Sequence, residues 1–179
     1  MNHTEKTKWV IDPAHSEINF KVKHLVIANV TGGFDKFDAV VYTDGEDFND
    51  AQVQFKADVN SINTNQPDRD NHLKSPDFFD VANHPELTFV SKSLRKKNES
   101  SFVLSGDLTI RGTTKHVELE GEFGGIIKDP YGNIKAGFEL TGKVNRRDFG
   151  LHWNAVTEAG GVVVSDEIKL MMNIELAKN

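Results

Sequence analysis

The chain of 179 residues contains no cysteine. That excludes disulfides, thiolate metal sites and cysteine nucleophiles. An excess of positive charge is also missing: 21 Lys and Arg stand against 27 Asp and Glu, for a net charge of -6. A nucleic-acid partner would call for a basic face, so none is expected. No stretch approaches the ~20 apolar residues of a membrane span, and stable membrane insertion is not expected. Residues 1–9 (MNHTEKTKW) hold no apolar run that could form a signal-peptide core; the expected location is the cytoplasm. The seven histidines include no HExxH, no HxH pair and no other tight ligand spacing, so no metal site is expected. Phosphate-cradling loops are absent, because Gly124-Gly125 and Gly160-Gly161 lack the following helix that anion binding needs. No catalytic constellation stands out, and the protein is read as a non-enzyme without a cofactor.

What is present is alternation. Apolar residues recur at every second position in Ile18/Phe20/Val22, Val53/Phe55/Ala57/Val59, Phe102/Leu104/Gly106/Leu108/Ile110 and Val117/Leu119/Gly121/Phe123. The pattern continues in Ala136/Phe138/Leu140/Gly142/Val144 and Ile168/Leu170/Met172/Ile174/Leu176. Polar residues fill the intervening places, as strands with one apolar and one wet face require. No long amphipathic helix is available to cover those faces. The sheet must cover itself, as a barrel or a sandwich does. Turn signals divide the chain into about eight long strands, the number whose closed barrel holds one slender ligand. A single domain over residues 1–179 is expected from the length. Ala57, Gly106, Gly121, Ala136 and Gly142 fall in the inward phase, where a packed core would want bulk. They predict a lumen left partly open.

Two stretches break the pattern. Residues 65–80 (NQPDRDNHLKSPDFFD) carry helix-start signals at Gln66-Pro67 and Ser75-Pro76 and predict two short helices, the second with Phe78 and Phe79. Such an insertion can lid one barrel end. Residues 146–161 (RRDFGLHWNAVTEAGG) form a long loop before the final strand. Candidate mouth or head-group residues are His15, His24, Arg69, Phe78, Arg146 and Trp153. For His15, beside the Pro13 turn, the alternatives are a side chain closing that turn and one that meets a ligand. His24 continues the inward phase. Arg69 with Asp70, and Arg146 and Arg147 with Asp148, read either as ion pairs pinning the irregular segments or as an Arg meeting an anionic or carbonyl head group.

Several strings run in one order along nearly the whole chain: Trp9–Ser16 (WVIDPAHS), His24-Leu25, Gly33–Phe37, Ser61–Thr64 (SINT), Arg69–Leu73 (RDNHL), Asp77–Asp80 (DFFD), Ser105–Gly112 (SGDLTIRG) and Asn145–Leu151 (NRRDFGL). Together they closely resemble the YceI-like family. The resemblance implies an extended, lipocalin-like antiparallel barrel whose tunnel holds a polyisoprenoid, an isoprenoid quinone or a fatty amide, for storage, transport or sequestration. It is compatible with a homodimer. Many relatives carry an export signal; this sequence resembles the signal-less members. No agreed catalytic set comes with the family, and none is transferred. The lipid chain is expected against Phe20, Val22, Phe55, Phe89, Phe102, Leu104, Leu108, Phe138, Leu140, Leu170 and Met172. The competing readings are a barrel enzyme acting on an apolar substrate and a packed structural or stress-related barrel without ligand. The first requires a strongly perturbed ionisable group in the lumen, the second a lumen closed by its phenylalanines.

Overall fold

A computed structural model describes residues 6–25, 27–154 and 163–179. The alternating segments form β1 (Thr7–Ile11), β2 (Glu17–His24), β3 (Ala28–Phe34), β4 (Phe37–Asp44), β5 (Asp47–Asp58), β6 (Ile62–Asn63), β7 (Glu86–Lys96), β8 (Ser101–Ile110), β9 (Thr113–Lys128), β10 (Ile134–Asn145) and β11 (Val164–Lys178). Neighbours pair antiparallel in the order β1-β4-β5-β7-β8-β9-β10-β11, and β11 pairs back onto β1. The result is a closed eight-stranded barrel.

Closure depends on β11. One of its edges pairs with β10 over eleven positions, from Lys135 opposite Ala177 to Asn145 opposite Glu167. Its other edge receives β1 (Ile11 opposite Leu176) and then β2, from Glu17 opposite Asn173 to His24 opposite Val164. Thus β1 and β2 are two halves of one bent wall strand. Pro13, which has no amide to donate, sits in the tight turn between them. The stretch 29–43 likewise resolves into β3 and β4, parted at Asp35 and Lys36.

The two barrel ends differ. One carries only short connections, β4–β5, β7–β8 and β9–β10. There Trp9 packs on Phe48, and Phe48 on Phe123 and Phe138, with ring centroids 4.9–5.7 Å apart. Trp9 is fully buried, its indole N–H donating to Thr43 Oγ1 at 2.8 Å, so the plug leaves no polar atom unpaired. The other end carries the β2–β3 turn, the insertion between β6 and β7, and the segment after β10. The insertion holds one helix, α1 (Pro67–Lys74), where two were expected. Gln66 caps it, its side chain accepting from the Arg69 amide at 2.6 Å. Ser75 and Pro76 start only a single turn, closed by Phe78 N–H and Asp80 N–H to Ser75 C=O. Phe78 then turns inward, which ends any further helix.

The inward glycines have a different meaning from the one their size suggests. At Gly121 a Cβ would fall on the ring of Phe102, its direct cross-strand neighbour. At Gly142 it would meet Leu119 Cδ2, and at Gly106 the ring of Phe89 and the Val90 carbonyl. These positions are therefore seats for large neighbours and are not themselves the open space. The correction has a simple cause: strand alternation shows which face a residue occupies and nothing about the residue beside it. Gly121→Ala should destabilise the barrel by about 1–3 kcal/mol through overpacking. Urea unfolding would measure this, and adding Phe102→Leu should recover part of the loss non-additively. Equal stability of wild type and Gly121→Ala would contradict the seating.

Candidate functional site

Inside the barrel lies one elongated apolar cavity of ≈ 250 Å³. It exceeds the roughly 150 Å³ of an apolar cavity that stays dry and takes up benzene. Its lining along β11 runs from Val164 to Leu176. At ~3.3 Å per residue and a strand tilt of ~40°, this is about 30 Å along the axis. Among the described residues Asn19 and Arg146 are the only polar ones lining it. Lining residues near the aromatic plug, such as Ile11, Phe48, Phe102 and Leu176, are buried; Val22, Leu73, Val144, Val164 and Ile168 toward the other end are half-buried. The aromatic plug stands at one end of the cavity, though Phe138 and Ile174 there are half-buried; at the other end Phe78, Phe149 and Leu151 are buried beside that end's half-buried residues.

All eleven residues expected to face the lumen line this cavity. Of the six mouth candidates, Phe78 and Arg146 also line it. His24 is half-buried at the end of β2, beside the lining yet outside it. Trp153 stands behind Phe78, 5.4 Å from that ring and 4.6 Å from the His72 ring, and so ties the insertion to the segment after β10. Arg69 faces away from the cavity: its Nε and Nη2 donate to Thr64 Oγ1 and C=O at 2.8 and 2.7 Å. His15 lies on the outer surface. Residues 155–161 of the expected loop fall outside the described residues.

Sequence reasoning missed several lining residues. Phe48, which lines the cavity, and the buried Ala51 both face inward although they are three apart, because Asp50 between them takes a left-handed conformation (φ 60°). That bulge breaks the period of two on which the reading relied. Phe34 and Phe79 pair across the lumen end at 6.3 Å; Leu73 comes from the two-turn helix α1, too short to show an apolar face, and Phe149 and Leu151 come from segments with no period to read.

Residues 9–176 match the YceI-like domain family. A UPF0312 protein of Staphylococcus aureus (strain MSSA476) is 39% identical over 172 residues, covering 96% of this chain and 98% of its own. The chain belongs to the YceI-like family. Among solved structures it is similar to the YceI protein of Campylobacter jejuni (31% identity, TM-score 0.73, 88% of this chain and 90% of that one). A polyisoprenoid-binding domain from Saccharophagus degradans shares the fold at 16% identity, with TM-score 0.74 over 96% of this chain and 98% of that one.

Among the described residues Arg146 is the only charged side chain lining the cavity of this YceI-like barrel, and backbone carbonyls surround it. It begins a short 3-10 turn (Arg146–Phe149) after Asn145, whose side chain caps the Arg147 amide at 2.9 Å. Its Nη1 donates to Leu151 and Trp153 C=O at 2.8 Å, its Nε to Ser165 C=O at 3.0 Å and its Nη2 to Val164 C=O at 3.2 Å. Burial pushes the guanidinium pKa below its ordinary value, while Asp166, 3.6 Å from Nη2, acts in the opposite direction. The arrangement fits the pinning reading: Arg146 staples the segment after β10 to the start of β11. Arg146→Met would orphan up to four carbonyls and should cost on the order of 3 kcal/mol, with faster amide exchange over residues 151–154 and 163–165. Arg146→Lys should restore only part, since an ammonium cannot span that fork. Unchanged stability in both variants would contradict the staple.

His15 serves the outer seam where β1, β2 and β11 meet. Its Nδ1 lies 2.9 Å from Asp12 Oδ2 and 3.3 Å from Glu175 Oε2, and Lys135 Nζ donates to the same Asp12 oxygen at 2.9 Å. The hydrogen bonds from His15 and Lys135 hold Asp12 down at about 2, and its partnership with Asp12 raises His15. This is the turn-closing role, well away from the lumen. Because the Asp12 pKa is depressed, its stabilisation is present above 3.8 and lost as pH falls toward about 2. The raised His15 pKa has the opposite sign: its share is present below 6.5 and lost as pH rises through the raised value. The stability gap between wild type and Asp12→Asn should therefore be widest near about pH 5 and shrink on either side. Denaturation midpoints across pH would show it, and a gap independent of pH would rule out this linkage.

Proposed function

We propose that the protein binds one long apolar lipid, of the polyisoprenoid, isoprenoid-quinone or fatty-amide type, lengthwise in the barrel, for storage, transport or sequestration. The observation that carries this reading is the cavity: about 30 Å long at the strand tilt of a barrel, lined by apolar side chains apart from Asn19 and Arg146, with an aromatic plug at one end. A lipid chain laid against Phe20, Phe55, Phe138 and Leu170 loses its water-exposed surface at about 0.8 kcal/mol per methylene, and ordering it offsets much of that gain. Affinity then follows chain length, and selectivity follows tunnel shape. Met172 and the phenylalanines can repack, so related lipids are accepted.

Binding is favoured over catalysis by what the lining lacks. Among the described residues Arg146 is its single ionisable group, and that guanidinium is engaged by carbonyls. A packed barrel without ligand is disfavoured because the inward phenylalanines leave the cavity unfilled. The Saccharophagus domain is described as polyisoprenoid-binding; sharing its fold is consistent with the proposal, the cavity supports a long apolar ligand, and the lipid classes named are those that the family resemblance implies.

Organic extraction of protein purified from its native source, followed by mass spectrometry, should release a long-chain lipid near one per barrel. Leu170→Trp, which fills the lumen midway, should lower that ratio by about five-fold or more while the circular dichroism stays that of a folded barrel. Repeated absence of lipid from the native protein, or equal lipid in a folded Leu170→Trp variant, would sink the proposal.

A further inference from the structure

The β2–β3 turn breaks two local rules at once. Leu25 holds a left-handed backbone (φ 54°) at its tip, where glycine or asparagine would be the unstrained choice. Its amide donates to Val163 C=O at 2.9 Å, so the conformation is fixed. Ile27, two residues on, is 87% exposed, and Leu25 is 38% exposed. A strained turn that displays apolar side chains to water, where polar ones would be cheaper, marks a position kept for something other than stability.

Its place in the barrel says what that is. Val22 and Val164 line the cavity at the end away from the aromatic plug, and His24, next to Leu25, pairs with Val164. The apolar tip therefore projects just beyond the tunnel mouth. Behind it on β2 stand Lys23 and Lys21, about 7 and 13 Å along the strand. Lys21 lies directly opposite Lys169 on β11, and among the described residues none of these three lysines has an ion-pair partner. Like charges face to face are unfavourable in a sheet unless an outside anion compensates them. In a chain with net charge -6, this is a local cationic patch beside an apolar tip.

We infer that the β2–β3 tip docks the tunnel mouth on a lipid bilayer carrying anionic head groups, with Leu25 and Ile27 entering the interface and Lys21, Lys23 and Lys169 meeting phosphates. The inference rests on the lipid-binding reading, since a cargo insoluble in water must be exchanged with a membrane. Two apolar side chains fall far short of the roughly 800 Å² per partner of a stable protein interface. They suit a shallow, reversible anchor, strengthened by nearby cations.

The test uses flotation with vesicles of phosphatidylcholine containing 30% phosphatidylglycerol, chosen as a working composition of about that fraction. Wild-type protein should bind these vesicles and release them as salt rises. Leu25→Ser with Ile27→Ser should weaken partition by about ten-fold or more, and Lys21→Ser with Lys23→Ser should flatten the salt dependence. Ile127→Ser with Tyr131→Ser removes the exposed apolar residues of the opposite end and should change nothing. Cavity loading is scored apart, with a pyrene-labelled fatty acid added from solution; wild type and the tip variant should load alike, while the variant delivers the probe to vesicles more slowly. Loading without vesicle binding would overturn the docking and leave the lipid-binding reading standing. Tip-dependent vesicle binding without loading would uphold the docking and strike the lipid-binding reading. Vesicle binding lost only in the opposite-end variant would overturn the inference, as would a dimer in sedimentation that the tip variant abolishes.

Discussion

Everything in this molecule follows from one constraint: a sheet with a continuous apolar face and no helices to cover it must close on itself. The last strand makes the closure, offering one edge to β10 and the other to β1 and β2 in succession. Once the ring is shut, inner side chains from opposite walls face one another across a lumen too wide for them to fill. Core and cavity are thus a single surface. A residue such as Phe102 packs against its neighbours on one side and borders open space on the other.

The ends divide the remaining work. Aromatic rings seal the end with short turns, and Trp9 satisfies its indole N–H there on Thr43. At the far end the rim is built from a short helix, a 3-10 turn and loops, held by directed polar contacts. Arg111 grips the Phe78 carbonyl at 2.7 Å, Arg69 and Asp70 hold Thr64, and Arg146 gathers carbonyls from both sides of the segment after β10. Hydrophobic packing is non-directional and suits a permanent floor. Hydrogen bonds to charged groups fix geometry, and they suit a rim built from loops that have little core of their own.

Much of this was legible in the residues, and the failures are instructive. Alternation located the long strands and assigned Phe20, Phe89, Leu140 and Met172 to the inner face, because period two is a local property of extended chain. It missed Phe48, since the bulge at Asp50 resets the phase without leaving a mark in a polar turn. It misjudged Gly121 and Gly142, whose role is set by Phe102 and Leu119 on adjoining strands. Arg146 was recognised as important, but its partners are backbone carbonyls, which every residue possesses and no sequence pattern displays. The family strings placed the loops in order; only the fold could show that Arg69 turns to Thr64 and His15 to the outer seam.

The dependence of closure on β11 also sets an order of events in synthesis. All of the partners of β11 (Val164–Lys178) precede it in the chain and are made earlier. While the ribosome still holds it, the preceding strands can form at most an open, curved sheet with its apolar face in water. The ring can shut only after β11 clears the exit tunnel, so the nascent chain passes through a stage in which its future binding surface is exposed along its whole length.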